Sequence, residues 1–263
     1  IFSIYCNTYS HKEIIVVYQG ADADFLQFLN HLTKIYDTIE FNIINNPTVA
    51  VDQRSKNLNI GVKNAKGRYI GFLDDDDQIA QEHIEILVNL INKQGVVWAY
   101  SDCCTNIIDN EYIESKKYPF RHDSFSYNNL MVENYIPLHS FLIDTNKILD
   151  QNILVVDENL TRMEDYYLLL NLASLYRPFH YNEVTCFYNI KTDGSNSNAV
   201  LMNRRYHKNS EWKASSSIIE DLKIKLGAST GQNLISYNFG QNKFGRKLRQ
   251  LMRNFFFKKI FRA

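Results

Sequence analysis

Tyr69-Ile70-Gly71-Phe72-Leu73-Asp74-Asp75-Asp76-Asp77 is an apolar run that ends in four consecutive carboxylates. The run reads as a short buried strand, with a turn-promoting Gly67 ahead of it. Four acids cannot enter a core unpaired, because burying an uncompensated carboxylate costs several kcal/mol. The strand therefore delivers them to its C-terminal edge, where open α/β sheets bind ligands. Hard oxygen donors at such an edge suit Mg2+ or Mn2+ carrying a diphosphate. A solvated acidic turn or a helix N-terminus is the plainer alternative, since acids favour a first helical turn.

The wider stretch from Asn57 to Asp77 (Asn-Leu-Asn-Ile-Gly-Val-Lys-Asn-Ala-Lys-Gly-Arg-Tyr-Ile-Gly-Phe-Leu-Asp-Asp-Asp-Asp) resembles the nucleotide-sugar half of family 2 glycosyltransferases. Their pattern there is roughly R-N-x-G-x-x-x-A-x-G-x-Y-I-x-F-L-D-x-D-D. Upstream, Ser3-Ile4 and Glu13-Ile14-Ile15-Val16-Val17 are similar to that family's early helix and strand. Downstream, Arg162-Met163-Glu164-Asp165 is similar to its E-D motif. The resemblance runs from about residue 1 to about residue 200. It implies a GT-A fold, an α/β architecture with a Rossmann-like, mostly parallel sheet flanked by helices. It also implies a first strand ahead of Ile1. Without that strand its neighbours would keep unpaired edges.

Residue roles follow from the resemblance. Asp76 matches the metal ligand, for Mg2+ or Mn2+. Asp74 matches the residue beside the ribose or base, Asp75 holds the variable position, and Asp77 supports the others. Asp165 matches the general base of an inverting displacement, with Glu164 beside it. The plainer reading of this pair is acids at a helix N-terminus, stabilised by the helix dipole. Arg162 could hold a phosphate, fix these carboxylates, or lie on the surface. Tyr18-Gln19-Gly20-Ala21-Asp22 sits where the family carries two acids before the glycine. Gln19 could still bond a base edge through its amide, and Asp22 lies in the same segment. Arg54, Asn59 and Lys191 complete the expected donor contacts. The donor so implied is a nucleotide sugar, a UDP-sugar first among them, and the acceptor a glycan or lipid-linked glycan in surface polysaccharide synthesis.

Composition sets bounds on this reading. A chain of 263 residues can bury one large core with an appendage. Its 45% apolar and 22% charged residues are ordinary for a globular protein. The four cysteines (Cys6, Cys103, Cys104, Cys186) form no C-x-x-C, and adjacent Cys103 and Cys104 could pair only under strain. Reduced thiols in a cytoplasmic protein are the simplest expectation. The seven histidines show no zinc-type spacing and read as ordinary surface or core residues. No run of 18 apolar residues marks a transmembrane helix, and no secretory signal opens the chain.

Apolar periodicity divides the chain into strands and helices of βαβ length. Strands are expected at 13–17, 41–44, 69–73, 96–100, 136–143 and 179–190. Helices are expected at 1–9, 24–36, 52–65, 81–93 and 166–175. Residues 103 to about 135 read as a polar, irregular excursion, and 191–198 as a Gly/Ser/Asn loop. The expected organisation is a glycosyltransferase domain over 1–205, with a nucleotide-sugar half (1–102) and an acceptor half (103–205). A helical extension follows over 206–263.

The tail differs from the rest. Residues 243–263 carry eight basic side chains and no acid, leaving 21 basic and 29 acidic residues, a formal charge of −8, in 1–242. Leu248, Leu251, Met252, Phe255 and Phe256 share one helical face. A basic amphipathic helix of this kind suits an anionic membrane surface, placing the protein peripherally at the inner face of the cell membrane. The alternative is a helix packed on the acidic body. Nucleic acid is not expected, since base-stacking motifs are absent. Two other functions compete with glycosyl transfer. One is a sugar-nucleotide nucleotidyltransferase, which would want a Gly-rich basic loop near the N-terminus. The other is a catalytically impaired GT-A binding module, favoured by Tyr18-Gln19 and opposed by the retained Asp76 and Asp165.

Overall fold

The computed structural model describes residues 1–47, 50–109, 112–116, 124–191 and 210–229, with backbone alone for 112–116, 228 and 229. The loop expected at 191–198, beyond Lys191, and the basic tail at 243–263 lie outside the described residues.

The chain opens with a short helix, α1 (Phe2–Tyr5), half the length its sequence suggests. Strand β1 (Glu13–Gln19) is built on Ile14, Ile15, Val16 and Val17, whose branched side chains suit a pleated strand. It pairs in parallel with β2 (Glu40–Asn46), from Glu13 opposite Glu40 to Gln19 opposite Asn46. The crossover between them is α2 (Ala23–Ile35). The Asp22 carboxylate caps it by accepting from the backbone N–H groups of Asp24 and Phe25, both at 3.0 Å. Helix α3 (Arg54–Asn64) packs on β1.

The main sheet has the order β3 (Tyr69–Gly71), β7 (Phe141–Asp144), β5 (Trp98–Asp109), β8 (Phe179–Lys191), β4 (Gln78–Ile79), with β6 (Tyr112–Lys116) paired to the far part of β5. Strand β3 (Tyr69–Gly71) stops two residues sooner than expected. The acid run follows as a turn, with Asp77 N–H donating to the Asp74 carbonyl at 3.3 Å. Strand β4 (Gln78–Ile79) comes next and was not legible in the sequence. Because β3 and β4 close opposite ends of the sheet order, residues 72–77 cross the sheet from one side to the other. Helix α4 (His83–Gln94) ends at Gly95, whose φ of 69° is the left-handed cap glycine adopts without Cβ strain.

Strand β5 (Trp98–Asp109) is the centre of the fold. It runs well into the segment expected to be irregular, returns through β6 (Tyr112–Lys116), and is followed by α5 (Tyr127–Val132). Polar residues there misled the periodicity because they satisfy one another inside: Asn106 Nδ2 donates to Asn189 Oδ1 at 2.9 Å across to β8. After α5, Pro137 and a 3-10 turn (Leu138–Ser140) delay the next strand, so β7 is Phe141–Asp144 rather than 136–143. Helix α6 (Glu164–Leu175) starts two residues before the expected Tyr166. Strand β8 (Phe179–Lys191) pairs in parallel with β5, with irregular register between Ser101 and Cys103. Helix α7 (Ser210–Ser229) packs on α6 and buries Ile219 and Leu222.

Strand pairing is mixed, with the two longest ladders parallel. Among the described residues, β1–β2 and β5–β8 are parallel and the other four strand pairs are antiparallel. Short β3 and β4 each meet a strand that returns toward them, which helix-length crossovers in the sequence cannot reveal. The core lies between this sheet and α6. Trp98, Phe141, Leu168, Leu169 and Leu170 are fully buried, and Trp98 Nε1 donates to the Tyr176 carbonyl at 2.7 Å. Among the described residues, β1 does not pair with β3. Each keeps one unpaired edge, and a cavity of about 890 Å³ lies between them.

Candidate active site

The cavity extends from the β1–β3 gap to Arg54, Asn57, Asp74, His139 and Glu164. Three parts of the chain thus meet on one wall: the acid run after β3, the first turn of α3, and the start of α6.

Within the run, neighbouring acids have different surroundings. Asp77 is buried. Its Oδ1 accepts from the Asn189 backbone N–H at 2.8 Å, and its Oδ2 lies 2.9 Å from His139 Nδ1. That second contact is a charge contact rather than an aligned hydrogen bond. Asn189 Nδ2 also donates to the Asp76 carbonyl at 2.6 Å. Strand β8 therefore grips the run through one asparagine, at the Asp76 backbone and the Asp77 side chain. Asp75 is exposed and Asp76 half-buried.

Asp74 is reached by water in the cleft, yet protein crowds it closely. That desolvation, then the charges of Asp77 and Asp165, raises its pKa to about 6. Burial opposes the charge on His139, but Asp77 and Cys103 outweigh it, and its pKa is pushed up to about 10. His139 therefore sits as a cation behind the acids. The Tyr188 phenol is raised by burial and then by Asp77, Asp76, Asp74 and Asp165. These mutual influences bring Asp165 and the acid run to the same place.

Asp165 and Glu164 open α6, preceded by Met163 at φ 70°. Met163 is the only non-glycine residue with positive φ among the described residues. Such strain persists only where its surroundings impose it, and it gathers at functional sites. Asp165 Oδ2 accepts from Asn134 Nδ2 at 2.8 Å, and Oδ1 from the Tyr166 backbone N–H at 2.7 Å. Burial raises the Asp165 pKa against these bonds and against Arg54. Glu164 is pushed up to about 7 by burial and then by Asp165, with Arg54 opposing. Glu164 Oε2 is buried without a partner, and Oε1 lies 3.7 Å from Arg54 Nη1.

Arg54 is fixed from behind. Its Nε and Nη2 donate to Asp52 Oδ2 at 3.1 and 3.0 Å. Asp52 also pairs with Arg162, whose Nη2 lies 3.3 Å from Glu211 Oε2 on α7. Arg162 is thus an anchor in a charge chain leading through Asp52 and Arg54 to Glu164.

Other expected contacts have structural partners. Gln19 Oε1 accepts from Gln53 N–H at 2.9 Å and Asn57 Nδ2 at 3.1 Å, while its Nε2 donates to the Val51 carbonyl at 2.7 Å. Its amide pins the turn before α3. Asn59 is engaged with Val156 and Glu158, Asp22 caps α2, and Lys191 is exposed at the end of β8. Sequence reading missed Asn134, His139, Tyr188 and Asn189, which carry no motif and reach the site only through tertiary pairing.

The donor set suits a hard divalent cation. Among the described residues, the acid run does not converge three ligand atoms on one point. One or two carboxylates with open positions are what Mg2+ or Mn2+ needs when phosphate oxygens supply the rest. The crowding that raises Asp74 is also relieved by a cation there.

The family model described as Glycosyl transferase family 2 matches residues 1–155. Uncharacterized glycosyltransferases of Rickettsia are similar in sequence. That of Rickettsia felis is 24% identical over 66% of this chain and 27% of its own length. That of Rickettsia typhi is 28% identical over 65% of this chain and 62% of its own. The chain thus spans about a quarter of the first relative and under two thirds of the second. Among solved structures, S. aureus TarS 1-349 in complex with UDP-GlcNAc has a TM-score of 0.54 at 15% identity, over 72% of this chain and 53% of that one. Its complex with UDP has a TM-score of 0.52 at 16% identity, over 73% and 56%. These neighbours share the GT-A fold. The match covers more than half of the sequence, and it includes β3, the acid run and the Arg54 helix: the chain belongs to glycosyl transferase family 2.

Proposed function

We propose that this protein transfers a sugar, with inversion, from a nucleotide-sugar donor to a glycan or lipid-linked acceptor in surface polysaccharide synthesis. The observation that carries the reading is the meeting of Asp74, Arg54 and Glu164 around one cleft, with Asp76, Asp77 and Asp165 close enough to Asp74 to act on its carboxylate. TarS structures hold UDP and UDP-GlcNAc, which supports a UDP-sugar as the first donor to try.

Asp76 would hold Mg2+ or Mn2+, which when bound neutralises charge on the leaving diphosphate as a Lewis acid. Asp74 and Asp75 face the nucleoside side of the donor. Arg54, held by Asp52, offers positive charge beside Glu164 and keeps that carboxylate in place. Asp165 accepts the proton of the acceptor hydroxyl. The freed oxygen forms a bond to the anomeric carbon as the bond to the diphosphate breaks, and the nucleoside diphosphate leaves. A raised carboxylate pKa suits this step, because a base poised nearer neutrality takes a proton more readily. Asn134 and the Tyr166 N–H orient the base.

Gln19 favours a second reading, a binding module without turnover. Its amide is committed to the turn before α3, at the position where the family's base contact is expected. Calorimetry against UDP-, GDP- and TDP-sugars with Mn2+, followed by assay of nucleoside diphosphate release, separates the two. Binding with release supports transfer. Binding without release, across a panel of acceptors, supports the module.

A further inference from the structure

Behind the acid run lies a second cluster built from different chemistry, reaching the cleft wall only through His139. Cys103 on β5, Cys186 on β8 and His139 in the 3-10 turn place their Sγ, Sγ and Nε2 atoms within 4.8 Å of one another. All three residues are buried. The register irregularity between Ser101 and Cys103 is what brings Cys103 opposite Cys186. Bulges often re-aim side chains in this way.

We propose that Cys103, Cys186 and His139 form a binding site for a thiophilic metal ion, zinc in the first instance. Three features support it. Cys103 Sγ lies 3.4 Å from His139 Nε2. Sulfur and nitrogen ligands around a tetrahedral zinc are separated by about 3.5 Å, given their usual bond lengths. His139 Nδ1 lies 2.9 Å from the Asp77 carboxylate. A carboxylate behind a histidine fixes the ring and aims the other nitrogen at a metal. Asp77 is itself held by the Asn189 N–H. Finally, two thiolates balance the charge of Zn2+, which on binding takes the place of the two thiol protons and of the proton on His139. Ser101 Oγ, 3.9 Å from Cys186 Sγ, borders the remaining side.

The ligands are soft, unlike the oxygen set above, so this ion is distinct from the one proposed for the donor. It would tie β5, β8 and the turn before β7 together, and through His139 and Asp77 it would set the floor of the acid run. The inference does not depend on the transfer reaction.

The test uses the full chain, purified reduced and stripped with chelator, then titrated with Zn2+ or with Co2+ as a spectroscopic probe. Expected is about one tightly bound equivalent per chain and an intense sulfur-to-cobalt transition, as a thiolate site gives. Cys103→Ser and Cys186→Ser should each remove the transition. Asp77→Asn should weaken binding by roughly 10–100-fold. Cys104→Ser and Asp76→Asn should leave the transition intact, which separates this site from the acids. Wild-type chain that binds no zinc, or binds cobalt without the sulfur transition, overturns the proposal whether or not the cysteine variants fold.

Discussion

Asn134 holds Asp165 by a 2.8 Å hydrogen bond from its amide to Oδ2, joining the loop after α5 to the first turn of α6. With the Tyr166 N–H on the other oxygen, the carboxylate is fixed in one orientation. A positioned base contributes ~10²–10⁴-fold to a rate. Asp165→Asn should therefore lower turnover by about that factor with donor affinity nearly intact. A loss below about threefold would move the role elsewhere, with Glu164 next, since its Oε2 is buried and unpartnered.

Asn134 is a positioning residue, and its effect has a separate signature. Its hydrogen bond stabilises the ionised form of Asp165. Asn134→Ala should raise the pKa of the base, so the rising limb of the pH–rate profile should move to higher pH. A hydrogen bond to a charged group contributes about 1.5–3 kcal/mol, which corresponds to roughly a tenfold or larger fall in turnover. A profile that drops without moving would assign Asn134 to folding alone.

Asp76 and Asp74 should separate in binding measurements. Asp76→Ala should abolish the Mn2+ dependence of nucleotide-sugar affinity, as measured by calorimetry with and without the metal. Asp74→Ala should weaken nucleotide binding and leave the metal requirement in place. Retained, Mn2+-dependent affinity in Asp76→Ala would end the assignment of that residue.

Stability should fall as pH rises toward neutrality. The folded-state pKa values of Glu164 (about 7) and Asp74 (about 6) lie above their ordinary values of 4.5 and 3.8. The folded protein then binds more protons than the unfolded chain between those limits, and linkage gives stability a negative slope with pH there. Glu164→Gln removes the repulsion with Asp165 and should raise Tm at pH 8 more than at pH 5. Arg54 keeps Asp52 as its partner in that variant. An equal shift at both values would show that Glu164 ionisation is not the source.

Much of this architecture is legible in the sequence, where local pattern controls it. Val and Ile in β1 and the Leu-rich α6 are read from neighbours in the chain. The acid run carries a local signature at a strand end, whereas Glu164-Asp165 reads locally as helix-start acids and takes its expected role from the resemblance to the family's E-D pair. The mixed strand directions, β4 and the extension of β5 were not legible, because long-range pairing decides them. The polar residues of β5 are satisfied by β8, some 80 residues away, as Asn106 and Asn189 show. Cys103, His139 and Cys186 escaped for the same reason: no fixed spacing joins them, and a register irregularity between two strands does.

The tail at 243–263 calls for a direct test, since eight basic residues and five apolar residues at helical spacing in its sequence would suit an anionic membrane surface. Among the described residues no helix is long and apolar enough to cross a membrane, so attachment through them would be peripheral. Electrostatic attraction fades within a Debye length, about 8–10 Å at physiological salt. Apolar insertion does not fade with salt. Liposome co-sedimentation of the chain with and without residues 243–263 should therefore show binding to anionic vesicles that weakens as salt rises, with a remainder at high salt. Neutral vesicles should retain only that remainder. Equal sedimentation of both forms on anionic vesicles would remove the membrane role and favour a tail packed against the acidic remainder of the chain, whose formal charge of −8 could offset it.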